Sequence, residues 1–265
     1  MGRISSKACT LIHSELAFKE PVDAMGPNTI FELIEYGLQE ATGAMFRSLK
    51  IMAFSLLIPF SCGAVELYDH FPDAIHADQR YVIYSHGLIV EGNDPKPVSP
   101  KFGQYDFPAI KQALFSDGGF NLIAYQRPKN TDFDSYVETL KSWVKRLLDA
   151  GVPPSRISLV GFSRGGQTTA YASSDLAADG INTALLAICT DGDFNRDPPL
   201  LLGGNLLSIY ETSDELGSCA KLAARSHLAS FKEVAISTGK KHGAFFQPLP
   251  EWVKPLKAWI AKTNR

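Results

Sequence analysis

The sequence predicts an α/β fold, in which a doubly wound and mostly parallel sheet is flanked by helices. The first observation is that short apolar runs alternate with helical patterns from Arg80 onward. The second is that these runs are nearly continuous in apolar residues, as parallel strands covered on both faces usually are. The third is size: 265 residues with 45% hydrophobic residues suffice for one well-buried domain, which we place at residues 65–265.

Six runs are rich in β-branched and aromatic residues, which indicates buried strands. They are RYVIYSHG (80–87), FNLIAYQRP (120–128), ISLV (157–160), TALLAIC (183–189), NLLSIYE (205–211) and KEVAIST (232–238). Crossovers between parallel strands are expected to be right-handed.

Three segments between and after these runs have helical patterns. DFDSYVETLKSWVKRLLDAG (132–151) places its apolar residues on one helix face and ends at a glycine. The small-residue segment QTTAYASSDLAADG (167–180) follows the ISLV run, and EWVKPLKAWIAK (251–262) closes the chain despite its internal proline. Helices in these places would cover both faces of the sheet.

The charge balance argues against a nucleic-acid partner. The chain has 26 Lys+Arg and 28 Asp+Glu, a net charge of −2, and it contains no run of basic residues. Sixteen Phe, nine Tyr and three Trp exclude a disordered or low-complexity class. We therefore expect a compact protein that acts on a small molecule.

Residues 45–64, MFRSLKIMAFSLLIPFSCGA, have the layout of a secretory signal peptide: basic residues, the apolar run Ile51–Phe60, then small residues. The run is short for a membrane span, so we expect none in the mature chain. Because such signals work at an N-terminus, this hypothesis takes Met45 as the true start, residues 1–44 as an upstream segment, and the protein as exported, periplasmic or secreted. The alternative is that residues 31–60 form helices packed on the domain or on a membrane surface, in a cytoplasmic or membrane-associated protein.

Cys189 and Cys219 are the cysteines that would remain after removal of the signal peptide. An oxidising compartment would permit a disulfide between them. Two buried, unpaired thiols are the alternative.

The motif Gly-x-Ser-x-Gly occurs in GFSRGG (161–166), centred on Ser163. In a chain with 21 Gly the motif alone is weak, but here a predicted strand precedes it and a predicted helix follows it. On such a sharp turn, side chains at Gly161 and Gly165 would collide with the neighbouring strand or helix. The helix N-terminus would also favour the negative charge that develops during acyl transfer. The context predicts Ser163 as a nucleophile.

A serine nucleophile needs a base, and the base needs an orienting acid. His242, in STGKKHGAFF, follows the last predicted strand and precedes the closing helix, so we predict it as the base. Asp214 lies at the apex of the turn after NLLSIYE and is the predicted acid. Glu211, on the same turn, stays open as the alternative acid.

An oxyanion site is expected where SHG ends the first predicted strand. His86 and Gly87 form the strand end, and the backbone N–H of Leu88 is placed to donate there. The backbone N–H of Arg164, directly after the serine, would be the second donor. For the His86 ring we favour an architectural role, hydrogen-bonded to the backbone at the strand end.

SHG, GFSRGG, SIYETSDE and KKHG together resemble the α/β-hydrolase superfamily of serine hydrolases, over about residues 80–265. The resemblance implies an eight-stranded sheet, ester, thioester or amide hydrolysis through an acyl-enzyme, and no metal or organic cofactor. It implies these roles: Ser163 as nucleophile, His242 as general base and then acid, Asp214 as orienting acid, Leu88 and Arg164 as oxyanion donors. Because AVELYDHF (64–71) is at most a remnant of the first strands, we expect a smaller sheet.

Two loops bear on the predicted pocket. Many superfamily members insert a lid after the strand equivalent to TALLAIC, but only Thr190–Gly204 stands there, so we expect an open pocket. The Pro and Gly residues of Glu91–Ala109 predict turns and neither helix nor strand. Its Tyr105 and Phe107 are candidates for an acyl pocket, with surface packing as the favoured interpretation. DGDFNRD (191–197) begins like a calcium loop but lacks the required Gly and Glu, and we interpret it as a plain loop.

The sequence thus predicts an esterase-like serine hydrolase that cleaves a carboxylic ester or thioester. Two alternatives stay open: a peptidase or amidase of the same fold, and a catalytically silent binding protein that retains the fold. The acyl substrate and the oligomeric state lie beyond what the sequence predicts.

Overall fold

The computed structural model describes residues 64–190 and 198–264. In chain order, its strands are β1 (Leu67–Tyr68), β2 (Tyr81–Ser85), β3 (Val98–Ser99), β4 (Gly103–Gln104), β5 (Asn121–Ile123), β6 (Ile157–Phe162), β7 (Asn182–Leu186), β8 (Gly203–Glu211) and β9 (His227–Ile236). Its α-helices are α1 (Phe107–Phe115), α2 (Phe133–Asp149), α3 (Arg164–Asp175), α4 (Ala220–Arg225) and α5 (Pro250–Thr263).

Seven of the strands in this part of the chain form one sheet, in the order β1-β5-β2-β6-β7-β8-β9. Every neighbouring pair is parallel. Both the α/β class and the parallel sheet flanked by helices are therefore confirmed. The remnant strand in AVELYDHF is the two-residue β1 at the sheet edge.

Strand β2 demonstrates how the sheet is covered on both faces. Tyr81 and Ile83 join a buried apolar cluster with α2 and α3. Val82 and Tyr84, which alternate with them, join a second cluster with α1 and α5. Because successive side chains of a strand point to opposite faces, the five buried residues of β2 serve two separate cores.

The loop predicted at Glu91–Ala109 contains regular structure, so that prediction was wrong. Strands β3 and β4 form a two-stranded antiparallel hairpin, and α1 begins at Phe107, with Asp106 accepting a hydrogen bond from the backbone N–H of Ala109. Each strand of the hairpin has only two residues, too few to produce an alternating pattern. Tyr105 and Phe107 do not pack at the surface: they are 0% and 1% exposed, in the core beneath the site.

Strand β9 starts at His227, earlier than the predicted run at 232–238. Among the strands that the structure describes, β9 pairs with β8 alone and lies at an edge of the sheet. Most residues of β9 are exposed or half-buried. Its first half therefore lacks the continuous apolar run from which a buried strand is predicted.

Several predictions concern residues that lie outside the described part of the chain. These are the upstream segment, the signal peptide and the DGDFNRD loop, at residues 1–63 and 191–197. Among the described residues, none of the helices has the length and apolar character needed to cross a bilayer.

Candidate active site

Ser163 lies at the point where β6 ends and α3 begins. It is the N-cap residue of α3, and its backbone angles are φ 53° and ψ −123°. A residue other than glycine rarely adopts a positive φ, and such strain concentrates at functional turns. Ser163 therefore lies on a sharp, strained turn at the carboxyl ends of the strands. The sequence context predicts such a turn.

Gly161 and Gly165 are required by close backbone contacts around this turn. A Cβ atom on Gly165 would lie 2.2 Å from the carbonyl oxygen of Ser85, on β2. A Cβ on Gly161 would lie 2.4 Å from the carbonyl oxygen of Gly165. The two glycines therefore let β2, β6 and α3 approach closely enough to form the turn.

The structure brings Ser163, His242 and Asp214 together in one hydrogen-bonded chain. His242 Nε2 lies 2.9 Å from Ser163 Oγ, and His242 Nδ1 lies 2.7 Å from Asp214 Oδ2. Asp214 follows β8, and His242 lies in a short 3₁₀ segment after β9, so three strand ends supply the three groups. This arrangement can move a proton from the serine hydroxyl to the imidazole, with the carboxylate holding the ring.

Aromatic rings hold the imidazole of His242 in place. The Phe162 ring centre lies 4.7 Å from that of His242, and the Phe102 ring centre lies 5.7 Å away. Phe102 belongs to the turn between β3 and β4, within the segment in which sequence reasoning expected no strand. Its contact with the site was missed because nothing in the sequence pairs this hairpin with the loop of His242.

Glu211, the alternative acid, does not contact His242. Its carboxylate accepts hydrogen bonds from the backbone N–H groups of Ser213 (2.8 Å), Thr238 (2.8 Å) and Gly239 (3.1 Å). The structure therefore favours Asp214 over Glu211 as the partner of the imidazole.

The two predicted oxyanion donors flank Ser163. Leu88 is the first residue of a short 3₁₀ segment, Leu88–Val90, and Arg164 is the first residue of α3. N–H groups at such positions have no preceding carbonyl within their own helix to accept them. Gly87 brings the first segment close, since a Cβ placed on it would lie 3.7 Å from Ser163 Cβ.

His86 is buried next to the turn at Gly87 and Leu88 and makes hydrogen bonds to the backbone. Its Nδ1 lies 2.8 Å from the carbonyl oxygen of Gly87, and its Nε2 accepts from the backbone N–H of Arg127 at 2.9 Å. Burial, together with the nearby Arg127 charge, holds the pKa of His86 well below its usual range. The ring is thus neutral and, as predicted, contacts the backbone at the strand end.

Arg127 is a buried residue of the site that sequence reasoning missed. It is 1% exposed, donates to the carbonyl oxygen of His86 at 2.7 Å and pairs with Glu91 at 3.2 Å. Its guanidinium also lies over the ring of Tyr136, 4.8 Å from the ring centre. Arg127 therefore contacts residues on both sides of Leu88, namely His86 before it and Glu91 after it. The signal in the sequence was weak: an arginine directly after a buried run and before Pro128.

A mostly apolar pocket of about 380 Å³ opens at Ser163. Its wall is formed by Gly87, Leu88, Ile89, Ser99, Phe102, Phe162, Phe246 and the side chains of Ser163 and His242. Tyr105 and Phe107 do not line it. Ile89 directly follows Leu88, and Phe246 lies one turn after His242, but the sequence does not show which way these side chains point.

The structure joins Cys189 and Cys219 in a disulfide. Cys189 follows β7, and its carbonyl oxygen accepts from the N–H of Gly217 at 2.8 Å. Cys219 donates its N–H to Glu233 on β9. The disulfide therefore ties the segment after Asp214 to the residues that follow β7, and the N–H of Cys219 ties it to β9.

No family model and no curated protein matches the chain. Solved structures do match it. A hormone-sensitive lipase from a metagenome library has a TM-score of 0.52 at 16% identity, over 73% of this chain and 79% of that one. An esterase of the bacterial hormone-sensitive lipase family has 0.52 at 17%, over 74% and 80%. A hyperthermophilic esterase from the archaeon Pyrobaculum calidifontis has 0.51 at 14%, over 73% and 79%. At such identities the likeness concerns the fold, and the described domain has the α/β-hydrolase fold.

Proposed function

We propose that the protein is a serine hydrolase that cleaves a carboxylic ester or thioester through an acyl-enzyme on Ser163. The observation that carries the proposal is the hydrogen-bonded chain from Ser163 through His242 to Asp214, built on a strained turn. The esterases and lipases among the structural neighbours have the same fold, which supports a carboxylic ester as the first substrate class to test.

In the acylation step, His242 Nε2 takes the proton of Ser163 Oγ as the oxygen attacks the ester carbonyl carbon. The carbonyl oxygen becomes an oxyanion, which the backbone N–H groups of Leu88 and Arg164 can stabilise together with the N-terminal end of α3. The intermediate then expels the alcohol, or the thiol of a thioester, which receives the proton from His242. The acyl group remains bonded to Ser163 Oγ.

In the deacylation step, a water molecule takes the place of the alcohol. His242 accepts one of its protons, the resulting hydroxide equivalent attacks the acyl carbon, and the oxyanion returns to the same two N–H groups. The bond to Ser163 Oγ breaks, and His242 returns the proton to that oxygen. Asp214 holds the imidazole and stabilises its positive charge in both steps.

The pocket at Ser163 suits a small apolar acyl group. Its wall is mostly side chains of Leu, Ile and Phe, and its volume is about 380 Å³. Burying each CH₂ of an acyl chain there contributes about 0.8 kcal/mol, until the chain outgrows the cavity. We expect kcat/KM to rise over the shortest acyl chains and then fall.

The proposal is tested with p-nitrophenyl esters of increasing acyl length. Wild type should release p-nitrophenol, and Ser163→Ala should not, while Ser142→Ala, an exposed serine on α2, should retain wild-type rates. Aminoacyl amides test the peptidase alternative in parallel. Equal rates for wild type and Ser163→Ala would contradict the proposal.

We also propose that the protein is exported, with Met45 as the start of its signal peptide. The disulfide between Cys189 and Cys219 supports an oxidising compartment, since such bridges rarely persist in a reducing cytosol. N-terminal sequencing of the native protein tests this. A mature N-terminus near residue 64 is expected, and an N-terminus at Met1 would contradict it.

A further inference from the structure

Glu211 is a buried carboxylate at the end of β8, outside the chain of Ser163, His242 and Asp214. It is 1% exposed. One of its oxygens, Oε2, accepts from the backbone N–H and the hydroxyl of Ser213. The other, Oε1, accepts from the backbone N–H groups of Thr238 and Gly239. Four donors thus converge on one side chain.

These donors come from two different loops. Ser213 directly precedes Asp214, whereas Thr238 and Gly239 begin the loop that carries His242. The two loops meet again where the N–H of Lys241 donates to the Ser213 hydroxyl at 3.2 Å. Glu211 is therefore hydrogen-bonded to both loops that supply the acid and the base.

No cationic side chain among the described residues pairs with Glu211, so backbone N–H groups and a hydroxyl must balance its charge. Burial raises the pKa of Glu211, but the hydrogen bonds from Ser213, Thr238 and Gly239 outweigh it and lower the pKa below its usual value. A buried carboxylate costs free energy unless its hydrogen bonds are complete, so both loops must keep their positions around it.

We propose that Glu211 is a positioning residue that sets the distance and orientation between Asp214 and His242. The inference rests on the proposed function. Each oxygen of the carboxylate holds one loop, and a displacement of either loop would lengthen the contact between Asp214 Oδ2 and His242 Nδ1, now 2.7 Å.

Glu211→Gln is the sharpest variant, because an amide has one acceptor oxygen and one NH₂ group. Whichever way the amide turns, its NH₂ faces N–H donors of one loop, and that loop is released. A misplacement of about 1 Å at an active site costs about 100-fold in rate, so we expect kcat to fall about 10- to 100-fold with little change in KM. Ser213→Ala, which removes only the hydroxyl bridge, should produce a smaller loss of the same kind.

A double-mutant cycle separates positioning from a general loss of stability. The readout is the rate at which a fluorophosphonate labels Ser163 in wild type, Glu211→Gln, Asp214→Ala and the double variant. If Glu211 acts through the acid, its substitution costs 10- to 100-fold in the wild-type background and at most about two-fold once Asp214 is gone. Equal losses in both backgrounds would overturn the inference.

Asn182→Ala is the matched control for destabilisation. Asn182 is buried at the start of β7, where its side chain donates to the carbonyl oxygens of Ser155 and Ile157, at the opposite edge of the sheet. Asn182→Ala should lower the unfolding midpoint without changing the labelling rate of the folded protein. A loss of labelling rate like that of Glu211→Gln would overturn the inference. No labelling of wild type at all would reject the proposed function itself.

A second, independent observation concerns a cationic cavity next to the site. It has a volume of about 420 Å³ and is lined by Lys101, Lys240 and Lys241 together with polar and apolar residues, with no carboxylate in its wall. Phe102 forms a wall of both this cavity and the pocket at Ser163. A third cavity, lined by Lys101, Lys241 and His242 as well as Asp214 and Glu215, adjoins both.

The lysines that line these cavities have few carboxylate partners among the described residues. Lys101 lies 3.9 Å from Glu215, a long contact, and no carboxylate of the described residues pairs with Lys240 or Lys241. The lysines line the cavities beside His242, the group that would protonate the departing alcohol. We infer that they receive a carboxylate carried by the alcohol part of the ester; this too rests on the proposed function.

The inference is tested with 4-acetoxybenzoate and its neutral methyl ester, which carry the same acyl group. In Lys101→Gln/Lys240→Gln, kcat/KM for the anionic ester should fall about five-fold, while that for the neutral ester should stay constant. Lys145→Gln/Lys254→Gln, two exposed lysines elsewhere, changes the net charge equally and should leave both values unchanged. An equal response of both esters in the first variant would overturn the inference, whereas failure to hydrolyse either ester in wild type would count against the proposed function.

Discussion

Two carboxylates near the end of β8 have different partners. Asp214 contacts the imidazole of His242, whereas the hydrogen-bond donors to Glu211 within residues 64–190 and 198–264 are backbone N–H groups and the Ser213 hydroxyl. In the proposed mechanism, an ionised carboxylate at Asp214 would both orient the ring and stabilise its positive charge, which a neutral amide cannot do.

Asp214→Asn should therefore lower kcat for a p-nitrophenyl ester by about 10³- to 10⁴-fold, because an amide can favour the wrong tautomer of His242. Glu215→Gln, an exposed neighbour, serves as the control and should remain within about two-fold of wild type. Activity of Asp214→Asn within ten-fold of wild type would contradict the assignment of the acid.

His86 predicts a dependence of stability on pH. Its folded pKa is lowered, by burial first and then by the Arg127 charge, so the unfolded chain takes up a proton at a higher pH than the folded protein does. The contribution is complete above the unfolded pKa of about 6.5 and is lost as the pH falls towards the folded value. Protonation would also set an N–H of the ring against the N–H of Arg127.

The free energy of unfolding should therefore fall below pH 6.5, by up to about 1.4 kcal/mol per pH unit from this group. Urea titrations between pH 4.5 and 7.5 measure the slope. His86→Gln should be less stable at pH 7 but should lack this part of the slope. A slope unchanged by the substitution would show that His86 does not cause it.

Among the elements, the turn between β6 and α3 tolerates the least change. A Cβ on Gly165 would meet the carbonyl oxygens of both Ser85 and His86, at 2.2 and 2.3 Å, and these belong to backbone that cannot move aside. Gly165→Ala should destabilise the domain by about 3 kcal/mol. Gly217→Ala is the control, because nothing lies within 4 Å of its added Cβ, and it should cost less than about 0.5 kcal/mol. Equal unfolding midpoints for the two variants would contradict the described geometry.

The disulfide is a second element whose removal has a predicted cost. It links residues separated by 30 positions, which in the chain-entropy model corresponds to about 3–4 kcal/mol. Cys189→Ala/Cys219→Ala should lower the unfolding free energy by this amount in denaturant titrations. A stability equal to wild type, with the bond verified in wild type by mass spectrometry, would contradict this prediction.

Some elements near the site could be predicted from the sequence, and others could not. The strand, turn and helix around Ser163 could be predicted because each has its own local signal: a buried run, a glycine pair, and small residues at helical spacing. The β3–β4 hairpin could not, since its strands have two residues each and its contact with His242 through Phe102 is long-range. The same holds for Arg127, whose partners His86 and Glu91 are distant in the chain.

The parallel sheet explains why residues that are far apart in the sequence meet at one site. Parallel strands end at one edge, and β2, β6, β8 and β9 each deliver a part of the site to that edge. The parallel arrangement, though not the order of the strands, could be predicted from the alternation of apolar runs and helices. The sequence favours Asp214 over Glu211 as the acid but leaves both open, because Glu211 ends β8, Asp214 lies just beyond it, and the turn between them sets which carboxylate faces the imidazole.

Mass spectrometry of the fluorophosphonate-treated protein tests whether Ser163 is the nucleophile. Wild type should gain one adduct that maps to the peptide containing Ser163, and Ser163→Ala should gain none at the same reagent concentration. An adduct on another residue, or equal labelling of Ser163→Ala, would show that Ser163 is not the nucleophile.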